Sequence, residues 1–205
     1  MTAYNRAMDT KTPMPCSTSR RVILPLVWAV VASACGVGEE THSDPWPLAC
    51  EQASFEISPD QSATCARREA GGDLLVRPDV LAAIIPGSGV QSLWVDGEWL
   101  FARDGKTVTA LTFDNGPDYF REGLARIVDQ GKIGFVDESL QAVIAPFWDF
   151  AFPFEGGVAV VCMGCRQVSD GEHVSMDGGG WGIIDHRGSV LVEPVHQRDA
   201  LPADR

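Results

Sequence analysis

Gly131-Lys132-Ile133-Gly134-Phe135-Val136-Asp137 and Gly180-Trp181-Gly182-Ile183-Ile184-Asp185 decide how this chain is read. Each joins a turn glycine to a short run rich in β-branched and aromatic side chains, the composition of a strand leaving a tight turn. Around the first, Leu124 to Val128 and Ala142 to Ala145 have the same character, so the stretch reads as three strands. Asp129-Gln130-Gly131-Lys132 joins the first two as a hairpin turn, with Gly131 able to take positive φ. Arg103-Asp104-Gly105-Lys106 and His186-Arg187-Gly188-Ser189 turn the next corner of their own units. Pro146 and Pro194 are expected to end the third strand, because proline donates nothing to a ladder.

The pattern repeats. At an offset of 34 residues Gly89, Gly123 and Gly157 fall in register, as do Val90, Leu124 and Val158. Phe101 then matches Phe135, Phe113 matches Phe147, and Phe120 matches Phe154. Ile133 to Asp137 aligns with Trp181 to Asp185, and Pro146 with Pro194, at an offset of 48. The third unit therefore carries 14 extra residues, placed between Cys162 and Gly180. Tetratricopeptide helix pairs share the 34-residue period but need apolar spacings of three and four, which these units lack. An all-β fold is expected: antiparallel hairpin and meander repeats of about 34 residues that bury their apolar faces on one another.

The run from Phe113 to Arg126 resembles bacterial WG-repeat proteins, and the two quoted stretches carry that family's glycine-flanked core ending in aspartate. Trp181-Gly182 is the literal Trp-Gly pair, whereas Ile133-Gly134 and Trp99-Leu100 depart from it. The resemblance covers residues 89–196. It implies a β-rich repeat scaffold, often exported, with no general catalytic role.

Upstream lies an export address. Arg20 and Arg21 precede an uncharged run of 13 residues, Val22 to Ala34. At about 1.5 Å per residue such a run is too short for a hydrocarbon core of about 30 Å, so it reads as the apolar part of a signal over residues 1–34. Ala32 and Ala34 suit ordinary cleavage, which would release the protein. Ala32-Ser33-Ala34-Cys35-Gly36 also resembles a bacterial lipobox, in which Cys35 is lipidated. The lipoprotein reading is preferred because a polar stretch follows, residues 35–48, that suits a flexible tether. Ser19-Arg20-Arg21-Val22-Ile23-Leu24 resembles a twin-arginine signal as well. The expected destination is the periplasm or outer membrane, with membrane contact only through Cys35.

The full chain has 205 residues and a net charge of −12. Beyond residue 34 it keeps 12 positive and 27 negative residues, a net of −15. Nucleic acid is thereby excluded as a partner, since phosphate binding needs a basic face. An envelope protein or a glycan is the expected partner. Past Cys35 the cysteines are Cys50, Cys65, Cys162 and Cys165, which allow three connectivities. In an oxidising compartment two disulfides are the default, and local pairing, Cys50–Cys65 and Cys162–Cys165, is expected. The domains read as a disulfide-tied β-rich segment at 49–88, three repeats at 89–196, and a tail at 197–205.

Chemistry-bearing residues are sparse. Thr112-Phe113-Asp114-Asn115-Gly116-Pro117 resembles the Thr-Phe-Asp-Asp-Gly-Pro motif of polysaccharide deacetylases, a metal-dependent hydrolase alternative. Asn115 replaces the metal-binding carboxylate, and no His-x-x-x-His pair follows. A turn closed by Asp114 and Asn115 explains the same residues. Cys162-Met163-Gly164-Cys165 is read as a structural disulfide at a strand end and turn rather than a redox or zinc motif. The third unit's insertion is read as an enlarged polar turn that places Asp170, Glu172, His173 and Asp177 for binding. Trp148, which stands where the preceding unit has Asp114, is the other candidate binding residue. No catalytic residue, cofactor or metal is expected, and the chain reads as a non-enzymatic scaffold.

Overall fold

The computed structural model describes residues 45–169, 171 and 174–202. The signal at 1–34, Cys35, and the candidates Asp170, Glu172 and His173 lie outside the described residues. Ahead of the repeats come β1 (Cys50–Ala53), α1 (Pro59–Ala63), β2 (Ala66–Arg68), β3 (Leu74–Val76) and α2 (Pro78–Leu81). The first unit holds β4 (Gln91–Val95), β5 (Glu98–Arg103) and β6 (Lys106–Thr109), followed by a small hairpin of β7 (Thr112–Phe113) and β8 (Gly116–Pro117). The second holds β9 (Leu124–Asp129), β10 (Lys132–Asp137) and β11 (Ala142–Trp148). The third holds β12 (Phe150–Ala151), β13 (Val158–Ser169), β14 (Val174–Asp185) and β15 (Val190–His196). A 3₁₀ turn, Arg198–Ala200, closes the described chain.

Every strand pair is antiparallel, and the protein is the all-β meander that the periodicity implies. The sheets run β1-β4-β5-β6, β11-β10-β9 and β12-β13-β14-β15. Hairpins close on Asp96-Gly97, Asp104-Gly105 and Gln130-Gly131, both residues of each pair having positive φ. Such turns carry the twist of the flanking strands.

Third strands differ from expectation. β11 and β15 run through Pro146 and Pro194 instead of ending there. Ile133 pairs with Trp148 while Phe135 pairs with Ile144, so β11 bulges between those partners. β15 repeats the irregularity, with Trp181 on His196 and Ile183 on Val192. A bulge on an edge strand is where proline is tolerated, because the missing N–H costs no ladder bond.

The bulge also explains the glycine of each core. A Cβ on Gly134 would lie 2.6 Å from the Pro146 nitrogen, and one on Gly182 would lie 2.9 Å from the Pro194 Cα. Only glycine lets the third strand cross so closely. In the first unit β6 pairs with β5 without a register shift, and the equivalent residue is the buried Leu100. The departure Trp99-Leu100 is thus a unit without the crossing.

Neighbouring units share cores. Trp99, Phe101 and Ala110 of the first unit pack with Ala125, Ile127, Val136 and Leu140 of the second. Leu124, Ile133 and Phe135 of the second pack with Phe154, Ala159, Val161 and Ile184 of the third. An aromatic pair repeats across each junction, Phe101–Phe120 at 5.3 Å between ring centres and Phe135–Phe154 at 4.8 Å. Each unit leaves an apolar face that only the next can cover.

Segment 49–88 does not stand apart from the repeats. β1 pairs with β4, and Cys50, Cys65, Val76 and Val80 share one core with Leu93, Val95 and Leu100. Leu48, read as tether, bridges to Ala66.

Candidate functional site

The sequence candidates separate once placed. Trp148 is 5% exposed and belongs to the core between the second and third units, so it offers no surface platform. The reason is cross-strand compensation. Trp148 pairs with Ile133, whereas in the third unit Trp181 pairs with His196. In the second unit the large ring thus stands on the third strand, opposite the position that Trp181 holds in the third unit.

The deacetylase-like run is a hairpin. Asp114 and Asn115 both have positive φ, Phe113 pairs with Gly116, and both turn residues are exposed. The buried carboxylate nearby is Asp118, which the sequence reading passed over. Its Oδ1 lies 2.6 Å from Arg126 Nη2, and its Oδ2 accepts from the Arg126 backbone N–H and Nε. The guanidinium also donates to the Ala151 carbonyl at 3.0 Å, tying the second unit to the third. Both groups are almost fully buried, and each charge is answered.

The insertion is a ladder rather than an enlarged turn. β13 and β14 pair continuously out to Ser169 and Val174, interrupted only where Gly164 faces Gly179, both at positive φ. Asp177 sits on this exposed ladder and pairs with Arg166 at 3.0 Å. Cys162 and Cys165 both lie inside β13, not at a strand end and turn, with a Cα–Cα distance of 6.1 Å. Cys50 and Cys65 stand at 5.5 Å. Both separations suit a disulfide.

Carboxylates also shape the corners. Asp137 accepts from the Ser139 hydroxyl and from the backbone N–H of Ser139 and Gln141. Its equivalent Asp185 accepts from the Arg187 and Ser189 N–H groups. Donation by Ser139 holds Asp137 below the ordinary carboxylate range, and the Ser189 N–H does the same for Asp185. Asp149 is lowered first by the Lys132 ammonium at 2.5 Å and then by the Gly164 N–H.

A groove of about 930 Å³ is the candidate site. Its walls come from three successive lead-in segments: Phe120, Arg121 and Glu122; Phe152, Phe154 and Glu155; and Arg198, Asp199, Leu201 and Pro202. The first two are reversed by Glu122-Gly123 and Gly156-Gly157, all at positive φ, at equivalent places in their units. Glu122 accepts from the Gly157 N–H at 3.0 Å and pairs with His186 Nε2 at 2.9 Å. The His186 ring stacks on Phe154 at 4.4 Å, so this histidine braces the groove wall. Aromatic faces alternate here with ionic groups, a lining suited to holding a partner's side chains. The alignment of Phe120 with Phe154 was the available signal for it. Carried past Pro194, the 48-residue offset also sets Arg198 on Phe150 and Pro202 on Phe154.

Among known proteins, residues 133–164 match the family model described as WG containing repeat. Neither a curated protein nor a solved structure matches the chain. The matched stretch runs from the Gly134 crossing through β11 and β12 into β13. This chain is therefore a β-repeat protein with a WG containing repeat at the junction of its second and third units.

Proposed function

We propose that the chain is an exported, lipid-anchored binding scaffold of the bacterial envelope that holds a protein or glycan partner in this groove and catalyses no reaction. The observation that carries the reading is the groove's construction from equivalent segments of consecutive units, as repeat scaffolds build extended binding surfaces. Two cysteine pairs at disulfide distance favour an oxidising compartment. The non-enzymatic part is supported by what the obvious candidates do: Asp114 makes a turn, Asp118 pairs with Arg126, and His186 pairs with Glu122. Anchorage rests on Cys35 and the polar stretch after it.

Ordinary cleavage after Ala34 and lipoprotein processing both leave Cys35 first, so acylation, not the position of the N-terminus, tells them apart. Metabolic labelling with a radioactive fatty acid should mark the wild-type protein and place it in the membrane fraction. Cys35→Ala should abolish the label and release the protein. A Cys35→Ala protein that stays with the membrane, or an unlabelled wild type, would overturn the anchor.

A further inference from the structure

Trp181 and Phe152 form an aromatic face on the third unit, and residues 198–201 of the chain lie on it. The Arg198 guanidinium sits 4.5 Å from the Phe152 ring centre and 5.4 Å from that of Trp181. Leu201, three residues on, packs on the cluster of Cys162, Cys165 and Trp181. The 3₁₀ turn between them brings residues three apart onto one side, so a cation and an apolar group face the site together. Among the described residues, the guanidinium has only these two rings as partners. The backbone bonds of this segment are internal: the Ala200 N–H donates to the Gln197 carbonyl and the Leu201 N–H to that of Arg198. Among the described residues, side chains alone hold 197–202, which form no ladder with β14 that a competitor would have to break.

By the 48-residue offset, this segment stands where the lead-in of another unit would fall, with Arg198 in place of Phe150 and Pro202 in place of Phe154. Arg198 thus stands at the position that the aromatic Phe150 holds in the preceding unit. Beyond residue 34 the chain carries a net charge of −15, which draws a basic partner and repels an acidic one.

We propose that the Phe152–Trp181 face binds, in trans, a segment of a partner protein that presents an arginine with an apolar residue three positions later. Residues 197–202, which wall the groove in the free protein, occupy the face in cis until that segment displaces them and takes over the same wall. The proposal deepens the scaffold reading and rests on it.

The test uses the full chain carrying Arg198→Ala with Leu201→Ala, which vacates the face. The probe is a synthetic peptide of residues 196–202, and binding is followed by calorimetry and tryptophan fluorescence. The variant should bind the peptide at least tenfold more tightly than the wild type, and a peptide with alanine in place of its arginine should not bind. A variant that keeps its β-sheet circular dichroism yet binds neither peptide, or binds both alike, overturns the proposal, as does a wild type that binds as tightly as the variant. If the double variant loses its sheet signal, Arg198→Ala alone is used, with the same outcomes read. Failure here leaves the fatty-acid labelling result untouched, so the two readings fall separately.

Discussion

Gly134 and Gly182 owe their identity to the bulged third strand above them, not to a turn. A methyl group on either would meet main-chain atoms of Pro146 or Pro194, which cannot swing aside as a side chain can. Gly134→Ala or Gly182→Ala should therefore cost about 3 kcal/mol in chemical denaturation. Gly131→Ala, strained in φ but with open space around it, should cost about 1 kcal/mol. The same contrast holds for carboxylates. Asp118→Ala leaves Arg126 buried without its counter-charge and should cost about 4 kcal/mol. Asp114→Asn stays within about 0.5 kcal/mol, since asparagine tolerates the turn's positive φ. Asp137, Asp149 and Asp185 titrate below their unfolded values, so their stabilisation is complete above the ordinary carboxylate pKa and lost as pH falls through the depressed one. The protein should lose stability on acidification from about pH 5 to pH 3. Asp149→Asn should start less stable at neutral pH and lose less over that range.

At the scale of elements, the sequence announces strands more clearly than it announces what interrupts them. The strand beginning at Leu124, the turn at Gln130-Gly131 and the pairing of Phe101, Phe120, Phe135 and Phe154 with repeat register were all legible, because spacing encodes them. Pro146 and Pro194 were misread as strand ends because proline's effect depends on which edge the strand occupies, and strand order is not written locally. The insertion was misread as a turn because glycine and polar residues also suit a ladder that is exposed along most of its length. Trp148 was read as a candidate binding residue because its partner Ile133 lies across the sheet, 15 positions away in sequence, and its burial is not written locally. The groove was only half visible: Phe120 and Phe154 showed in the alignment, but nothing local marks Phe152 or places Arg198 over it. Segment 49–88 yields its own prediction. Cys50 and Cys65 enclose a loop with a sequence separation of 15 and sit in the first unit's core. Replacing both with alanine should lower stability by about 3 kcal/mol under non-reducing conditions, read as a shift in the denaturation midpoint. Reductant should then change that variant's midpoint less than the wild type's.

Across the whole molecule, each unit covers the apolar face of the one before, and the lead-in segments that do the covering also line the groove. The stacking of the units and the groove therefore arise from the same residues, which is why a repeat can be read for fold without revealing a function. On the proposed reading, the acidic body, the cysteine pairs at disulfide distance and the expected signal at residues 1–34 belong to a tethered protein that presents this groove outside the cytoplasm. Photo-crosslinking in intact cells tests that claim most directly, with the reactive group placed at Glu155 in the groove and, for comparison, at the exposed Asp60 on α1. The account predicts a discrete adduct from position 155, absent from position 60 and diminished in the Cys35→Ala protein. No adduct from position 155, or the same adduct from both positions, would contradict it.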